Sequence, residues 1–314
     1  MKPVIEVHHL TRIFGRVLAV DRVTFDIYPD EIFGFLGPNG AGKSTTVRML
    51  TGVIEPTGGT ALIQGHDIRS APLLSRGHIA VVPEEANVYL DLTVWQNIML
   101  MAELHGIPRL QRTRKADQLL DLLGIADRKK QKARALSKGL RQRLMLCAAL
   151  VTNPEIIFLD EPTSGLDVES ARLMRRIVAD LNQDGLTVFL TTHNMNEASD
   201  MCSRVAIINN GRIAAIDTPE NLRAAISSRQ YVEVGFSHNP PEKHELETVS
   251  GVLQAELNHH MITLYTDTPG QVAAGVVRWA DKKGRQISAL SIHKPSLEDV
   301  YLHFTGKKQE GDLR

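Results

Sequence analysis

The chain has 314 residues, more than one ordinary domain needs, and 36 Lys and Arg balance 36 Asp and Glu. That balance excludes a global field that would draw it to nucleic acid or to an anionic bilayer, so partners must be recognised locally. Two distant cysteines, Cys147 and Cys202, form neither a disulfide framework nor a zinc site and fit a reducing compartment. The first residues, MKPVIEVHHLTRIFG, lack the apolar run of a signal peptide, and no stretch is apolar enough to span a membrane.

In chain order, Val4 to Leu10 and Val23 to Ile27 read as strands, and Glu31 to Leu36 as a short buried one. Gly37 ends it, and Thr45 to Leu50 carries helix-forming residues. Leu92 to Ala135, rich in Leu, Gln, Arg and Lys at helical spacing, predicts an inserted helical subdomain that runs on to about residue 150. Its basic run, Arg128 to Arg134, reads as a solvated face, with contact to a membrane-bound partner as the sharper alternative. Asn153 to Asp160 and Leu186 to Thr191 are apolar runs of the parallel-strand type. Strands therefore alternate with helices in an α/β core.

Beyond Pro219 the pattern changes. Strands at Tyr231 to Phe236, Leu253 to Asn258, Met261 to Thr266 and Ile287 to His293 alternate with helices at Pro241 to Thr248 and Gln271 to Lys283. This β-α-β-β-α-β order is that of a ferredoxin-like α+β unit, closed by a helix at Pro295 to Phe304. The expected boundaries are 1–227 for the first domain, with a junction at Ser227 to Arg229, 228–306 for the second, and a flexible tail at 307–314. His259 and His260 are neighbours on or beside a strand, so their side chains face opposite ways and suit one metal ion poorly.

The stretch GPNGAGKS, Gly37 to Ser44, matches G-x-x-x-x-G-K-[ST] between a buried strand and a helix. In the stretch Gly37, Pro38, Asn39, Gly40, Ala41 and Gly42 the glycines would let backbone N–H groups curl around phosphate oxygens at a helix N terminus, with Thr45 following. Lys43 supplies a charge to the phosphates, and the Ser44 hydroxyl a magnesium ligand. At the end of the apolar strand, Asp160 is placed for the metal shell, and Glu161 to accept a proton from an attacking water. A third feature, ALSKGLRQRL from Ala135 to Leu144, predicts a helix with a bared N terminus at Ser137 and Gly139. Since one phosphate cradle already exists, this second one makes sense if it faces a nucleotide held by another chain.

Across residues 1 to about 220 the chain resembles the ATP-binding subunits of ABC transporters. GPNGAGKS is similar to their Walker A motif, LSKGL (Leu136 to Leu140) to their LSGGQ signature, and IIFLDEP (Ile156 to Pro162) to Walker B. SGLD (Ser164 to Asp167) is similar to the D-loop, and His193 is placed like the switch histidine. The resemblance implies a P-loop NTPase core with N-terminal antiparallel strands, adenine stacking on Phe14, and an ATP-sandwich homodimer in which Ser137, Gly139 and Asp167 meet the partner's nucleotide. It implies hydrolysis by Glu161, His193 and Lys43, and magnesium at Ser44, Asp160 and Glu84.

Two departures stand out. Glu84 occupies the place of the usual Gln, and Lys138 and Leu140 replace the signature's Gly and Gln. The LSKG form and the ending PSLEDVYLHFTG resemble the ABC-2-type exporters of drugs, polysaccharides or ions. The expected function is thus an ATPase subunit on the cytoplasmic face of a membrane, driving separate permease subunits, with no nucleic-acid partner. The competing readings are a soluble ABC-type ATPase acting on DNA or ribosomes, and a binding module regulated by its C-terminal unit.

Overall fold

The computed structural model describes residues 2–85, 87–226, 230–238, 241–258, 261–293 and 295–306. The chain divides into two compact units, Met1–Thr218 and Pro219–Arg314. The junction expected at Ser227 to Arg229, the histidines 259 and 260, and the tail 307–314 lie outside the described residues.

In the first unit, β1 (Ile5–Phe14) and β2 (Val17–Ile27) form a long antiparallel hairpin, well beyond the two short strands that alternation suggested. With β4 (Gly58–Ile63) and β5 (His66–Asp67) it builds a four-stranded sheet in the order β2-β1-β4-β5. The second sheet has β3 (Ile32–Leu36) near its middle, in the order β10-β9-β3-β8-β7-β6. Its members are β6 (Ile79–Val82), β7 (Ile156–Asp160), β8 (Thr187–Thr192), β9 (Arg204–Asn209) and β10 (Arg212–Asp217). All pairs are parallel except β9 with the edge strand β10.

Every residue of β3 and β8 is buried, which is why these strands read as unbroken apolar runs. The core lies between the two sheets. Phe25 of β2 stacks on Phe33 of β3 with centroids 5.4 Å apart, and Phe158 of β7 meets Phe189 of β8 at 5.1 Å. Each such ring removes roughly 2–3 kcal/mol worth of apolar surface from water. That packing fixes the C-terminal ends of β3, β7 and β8 relative to one another.

The expected helical insertion consists of α3 (Val94–Leu104), α4 (Arg109–Leu122) and α5 (Lys138–Leu150), which pack together. Thr93 and Gln96 close a capping box at the start of α3. The basic run is held by local partners: Lys129 reaches Asp117 at 2.5 Å and lies 3.7 Å from the Trp95 ring centroid, and Arg134 reaches Asp91 at 2.9 Å. Short α1 (Lys43–Leu50) and α2 (Pro72–Gly77) and the later α6 (Val168–Gln183) and α7 (Met195–Met201) complete the unit.

The second unit opens with α8 (Pro219–Ala224) and then follows the predicted order: β11 (Tyr231–Phe236), α9 (Lys243–Glu247), β12 (Gln254–Asn258), β13 (Met261–Tyr265), α10 (Pro269–Lys283), β14 (Ile287–His293) and α11 (Leu297–Thr305). Its sheet, β12-β13-β11-β14, is antiparallel throughout, the ferredoxin-like arrangement. Val232, Val234, Ile262 and Leu264 pack with Val272 and Val276 of α10 in a core of its own. No helix among the described residues is long and apolar enough to cross a membrane.

Candidate nucleotide site

The apolar strand β3 delivers Gly37 to the C-terminal end of the parallel strands, where the backbone must turn sharply into α1. A Cβ on Gly37 would collide with the Ile208 carbonyl oxygen, and Gly42 adopts φ +107 with space for a Cβ closed by the Ala19 carbonyl oxygen at 2.7 Å. Only glycine meets both demands. The loop encloses about 170 Å³ lined by Pro38, Asn39, Gly40, Gly42, Lys43, Ser44 and Thr45, with Ala19 opposite. Ala41 is buried beneath it.

Lys43, in the first turn of α1, is buried and donates to the Gly37 carbonyl at 2.7 Å and the Pro38 carbonyl at 3.3 Å. Its Nζ also lies 3.2 Å from Glu161 Oε1. Glu161 is buried too, and its other oxygen, Oε2, lies 2.8 Å from His193 Nδ1. One carboxylate thus joins a cation from the phosphate loop to an imidazole from the loop after β8. Glu161 holds φ +51, a conformation that costs a non-glycine residue roughly 1–3 kcal/mol and is concentrated at functional sites. Its backbone N–H donates to the Thr191 carbonyl at 3.0 Å, which anchors the turn.

Beside this pair, Ser44 Oγ donates to Asp160 Oδ1 at 3.4 Å, and the Thr191 hydroxyl donates to the same oxygen. Ser44, Asp160, Glu84 and Glu85 share a cavity of about 690 Å³ with Arg48. Hydroxyl and carboxylate oxygens are hard donors of the kind magnesium takes, and Ser44 and Asp160 are in direct contact. Glu84 Oε1 accepts from Ser164 Oγ at 3.4 Å, tying it to the segment after Glu161.

The structure brings Lys43, Glu161 and His193 together in one chain of contacts, with Ser44 and Asp160 beside them. Phe14 stands at the end of the β1–β2 hairpin, 43% exposed. Among the described residues, the side-chain hydrogen bonds of Ser137 and Asp167 run to Leu140 and Ser170 and not to this cluster. The N terminus of α5 is not bare: the Ser137 hydroxyl accepts from Leu140 N at 3.3 Å. Gly139 is buried against Ser170, and the Lys138 ammonium lies against Gly165. Asp167 caps α6, accepting from Ser170 N at 2.8 Å and Ser170 Oγ at 2.7 Å, and these bonds hold its carboxyl below the usual range.

Sequence reasoning missed two residues that hold the site together. Thr191 bonds both Asp160 and Glu161, and buried Glu197 accepts from Thr163 at 2.6 Å and Thr192 at 2.7 Å, bracing the loops on either side. A signal for Glu197 existed: Asn194, three residues earlier, caps α7, its Oδ1 accepting from the Glu197 N–H at 3.1 Å. Nothing local marks Thr191.

A glycine-bounded loop between a buried parallel strand and a helix, with an acid-terminated strand beside it, defines a P-loop nucleoside triphosphatase. A family model described as "ABC transporter" matches residues 20–164. The chain is 34% identical to the daunorubicin/doxorubicin resistance ATP-binding protein DrrA of Streptomyces peucetius, over 96% of this chain and 92% of that one. It is also 34% identical to a Nod factor export ATP-binding protein I of Burkholderia thailandensis, over 93% and 94% of the two chains. A solved structure of an ATP-binding subunit of an ABC transporter superposes with a TM-score of 0.65 at 28% identity, covering 71% of this chain and 92% of that one.

The chain belongs to the ABC transporter ATP-binding proteins. It binds ATP, and it is an ATPase of the kind that powers transport. The relatives named give no support to an ATPase acting on DNA or ribosomes.

Proposed function

We propose that the chain is the ATPase subunit of an ABC-2-type exporter, working on the cytoplasmic face of a membrane with separate permease subunits. Its LSKG signature, its C-terminal PSLEDVYLHFTG and the export and resistance names of its relatives support that reading. Two copies close around ATP, so that Ser137, Gly139 and Asp167 of one meet the nucleotide bound by the other.

The observation that carries the chemistry is the buried Glu161 between Lys43 and His193. Phosphoryl transfer asks for positioning and charge neutralisation more than for covalent help. The phosphate loop orients the triphosphate, and Lys43 turns its charge toward the β- and γ-phosphates. Glu161 takes a proton from the attacking water as the new bond to the γ-phosphorus forms and the bond to the ADP oxygen breaks. His193 fixes the carboxylate and contacts the γ-phosphate, while Phe14 stacks on adenine. Magnesium, held by Ser44, Asp160 and Glu84, neutralises phosphate charge when bound.

Glu161→Gln keeps the size and shape of the side chain but turns one acceptor oxygen into an N–H donor and removes its charge and basicity. The variant should lose hydrolysis by a factor of about 10²–10⁴ and accumulate as an ATP-dependent dimer, read by light scattering with and without nucleotide. Wild-type turnover in this variant would remove Glu161 from its role. A variant that binds ATP yet stays monomeric would overturn the sandwich.

A further inference from the structure

Arg12 and Phe14 are alternate residues of β1, so they share one face of the sheet. The Arg12 guanidinium carbon lies 4.5 Å from the centroid of the Phe14 ring, within cation–π range. The guanidinium is anchored from behind: Nη1 donates to the Glu55 carbonyl at 2.6 Å, in the segment after α1. The same two segments are joined by Thr57 N to the Thr11 carbonyl at 2.8 Å and by Ile13 N to Thr57 Oγ1 at 3.1 Å.

Arg12 Nε is buried with no hydrogen-bond partner among the described residues, although a guanidinium on a hairpin could reach water by a change of rotamer. Leaving that N–H unpaired costs stability, so a competing contact must hold the side chain in place. The ring of Phe14 and the Glu55 carbonyl are the contacts on hand. Phe14 pairs with Val17, and Ala19, two residues further along β2, lines the phosphate-loop cavity. That separation is about 7 Å along a strand, shorter than a nucleoside.

We propose that Arg12 is a positioning residue for the nucleotide base: it fixes the Phe14 ring from one side so that the opposite face is set for the purine. The inference rests on the reading of Phe14 as the adenine platform. A half-exposed phenylalanine at a hairpin end has free rotamers to lose on binding, and a cation against one face removes that cost beforehand. The same cation draws π density toward itself and leaves the other face a better stacking partner for an electron-rich base.

The test is steady-state ATPase kinetics of the full chain with Arg12→Ala, Arg12→Lys, Phe14→Ala and the double Arg12→Ala/Phe14→Ala. Arg12→Ala should raise KM for magnesium ATP about threefold to tenfold with kcat within about twofold, as the loss of a cation–π contact predicts. Arg12→Lys should recover part of the loss, and the double variant should be no weaker than Phe14→Ala alone. Competition by magnesium tripolyphosphate, which has no base, should be unchanged in Arg12→Ala.

If Phe14→Ala raises KM and Arg12→Ala does not, Arg12 has no positioning role while the adenine platform stands. If Phe14→Ala leaves KM unchanged, the platform and this inference fall together. If Arg12→Ala weakens tripolyphosphate as much as ATP, the residue acts through the phosphate loop and the proposal is overturned.

Discussion

Lys43 and Glu161 are each buried, and neither charge is affordable there alone. Their contact at 3.2 Å, with His193 on the far carboxylate oxygen, makes the charged cluster tolerable. Lys43→Ala should therefore do more than weaken ATP binding. It removes the cation beside the buried Glu161 carboxylate and the donor to the Gly37 and Pro38 carbonyls, and we expect about 3 kcal/mol of lost stability, seen in denaturant unfolding without nucleotide. The double variant Lys43→Ala/Glu161→Ala should recover part of that loss, since no unpaired charge remains. Equal destabilisation by the single and double variants would mean that packing, not charge, is what Lys43 supplies.

At the scale of elements, two termini matter. The phosphate loop depends on the left-handed turn at Gly42, where any side chain meets the Ala19 carbonyl oxygen. Gly42→Ala should cost about 1–3 kcal/mol and weaken ATP binding at least about tenfold, measured by calorimetric titration; retained affinity would show that the loop re-forms by another route. The N terminus of α6 depends on Asp167, whose carboxyl is held low first by the Ser170 backbone N–H and then by the Ser170 hydroxyl. A depressed folded-state value means that the cap's contribution is complete above the unfolded-state value and is lost as the pH falls through the folded one. Asp167→Ala should thus be less stable than wild type at about pH 7, with the gap closing toward about pH 3. Urea titrations at both pH values check this, and a gap independent of pH would assign Asp167 no ionic role in the cap.

Across the whole molecule, the division after Thr218 separates two cores, and the solved relative that covers 71% of this chain accounts for 92% of its own. The N-terminal unit is therefore expected to be sufficient for the nucleotide chemistry. A chain ending at Thr218 should fold cooperatively and bind ATP with an affinity within about threefold of the full chain, because every residue of the proposed nucleotide site, the Phe14 hairpin included, precedes that point. Aggregation of the truncated chain together with failure to bind would make the second unit part of the first one's stability. α8 clusters with the second unit, so it is the helix to keep or remove when choosing the cut.

Local rules sufficed for much of this. Gly37 to Ser44, the acid pair at the end of an apolar run, and the β-α-β-β-α-β order of the second unit each declare themselves over a few residues, because turn geometry, burial on both faces and alternation are short-range constraints. What the sequence determined by itself is the kind of protein: a P-loop ATPase of the ABC transporter family, declared by its motifs. Tertiary structure decided their meeting. Ser44 reaches Asp160 across 116 residues of chain, and Glu161 reaches His193 across 32, only because β3, β7 and β8 lie side by side in parallel register with Asp160 opposite Thr191. It also decided that the Ser137 hydroxyl caps its own helix, that Thr191 and Glu197 brace the site, and that Arg12 stands behind Phe14. Such contacts follow from strand order and sheet-to-sheet packing, which no periodicity within a single segment encodes.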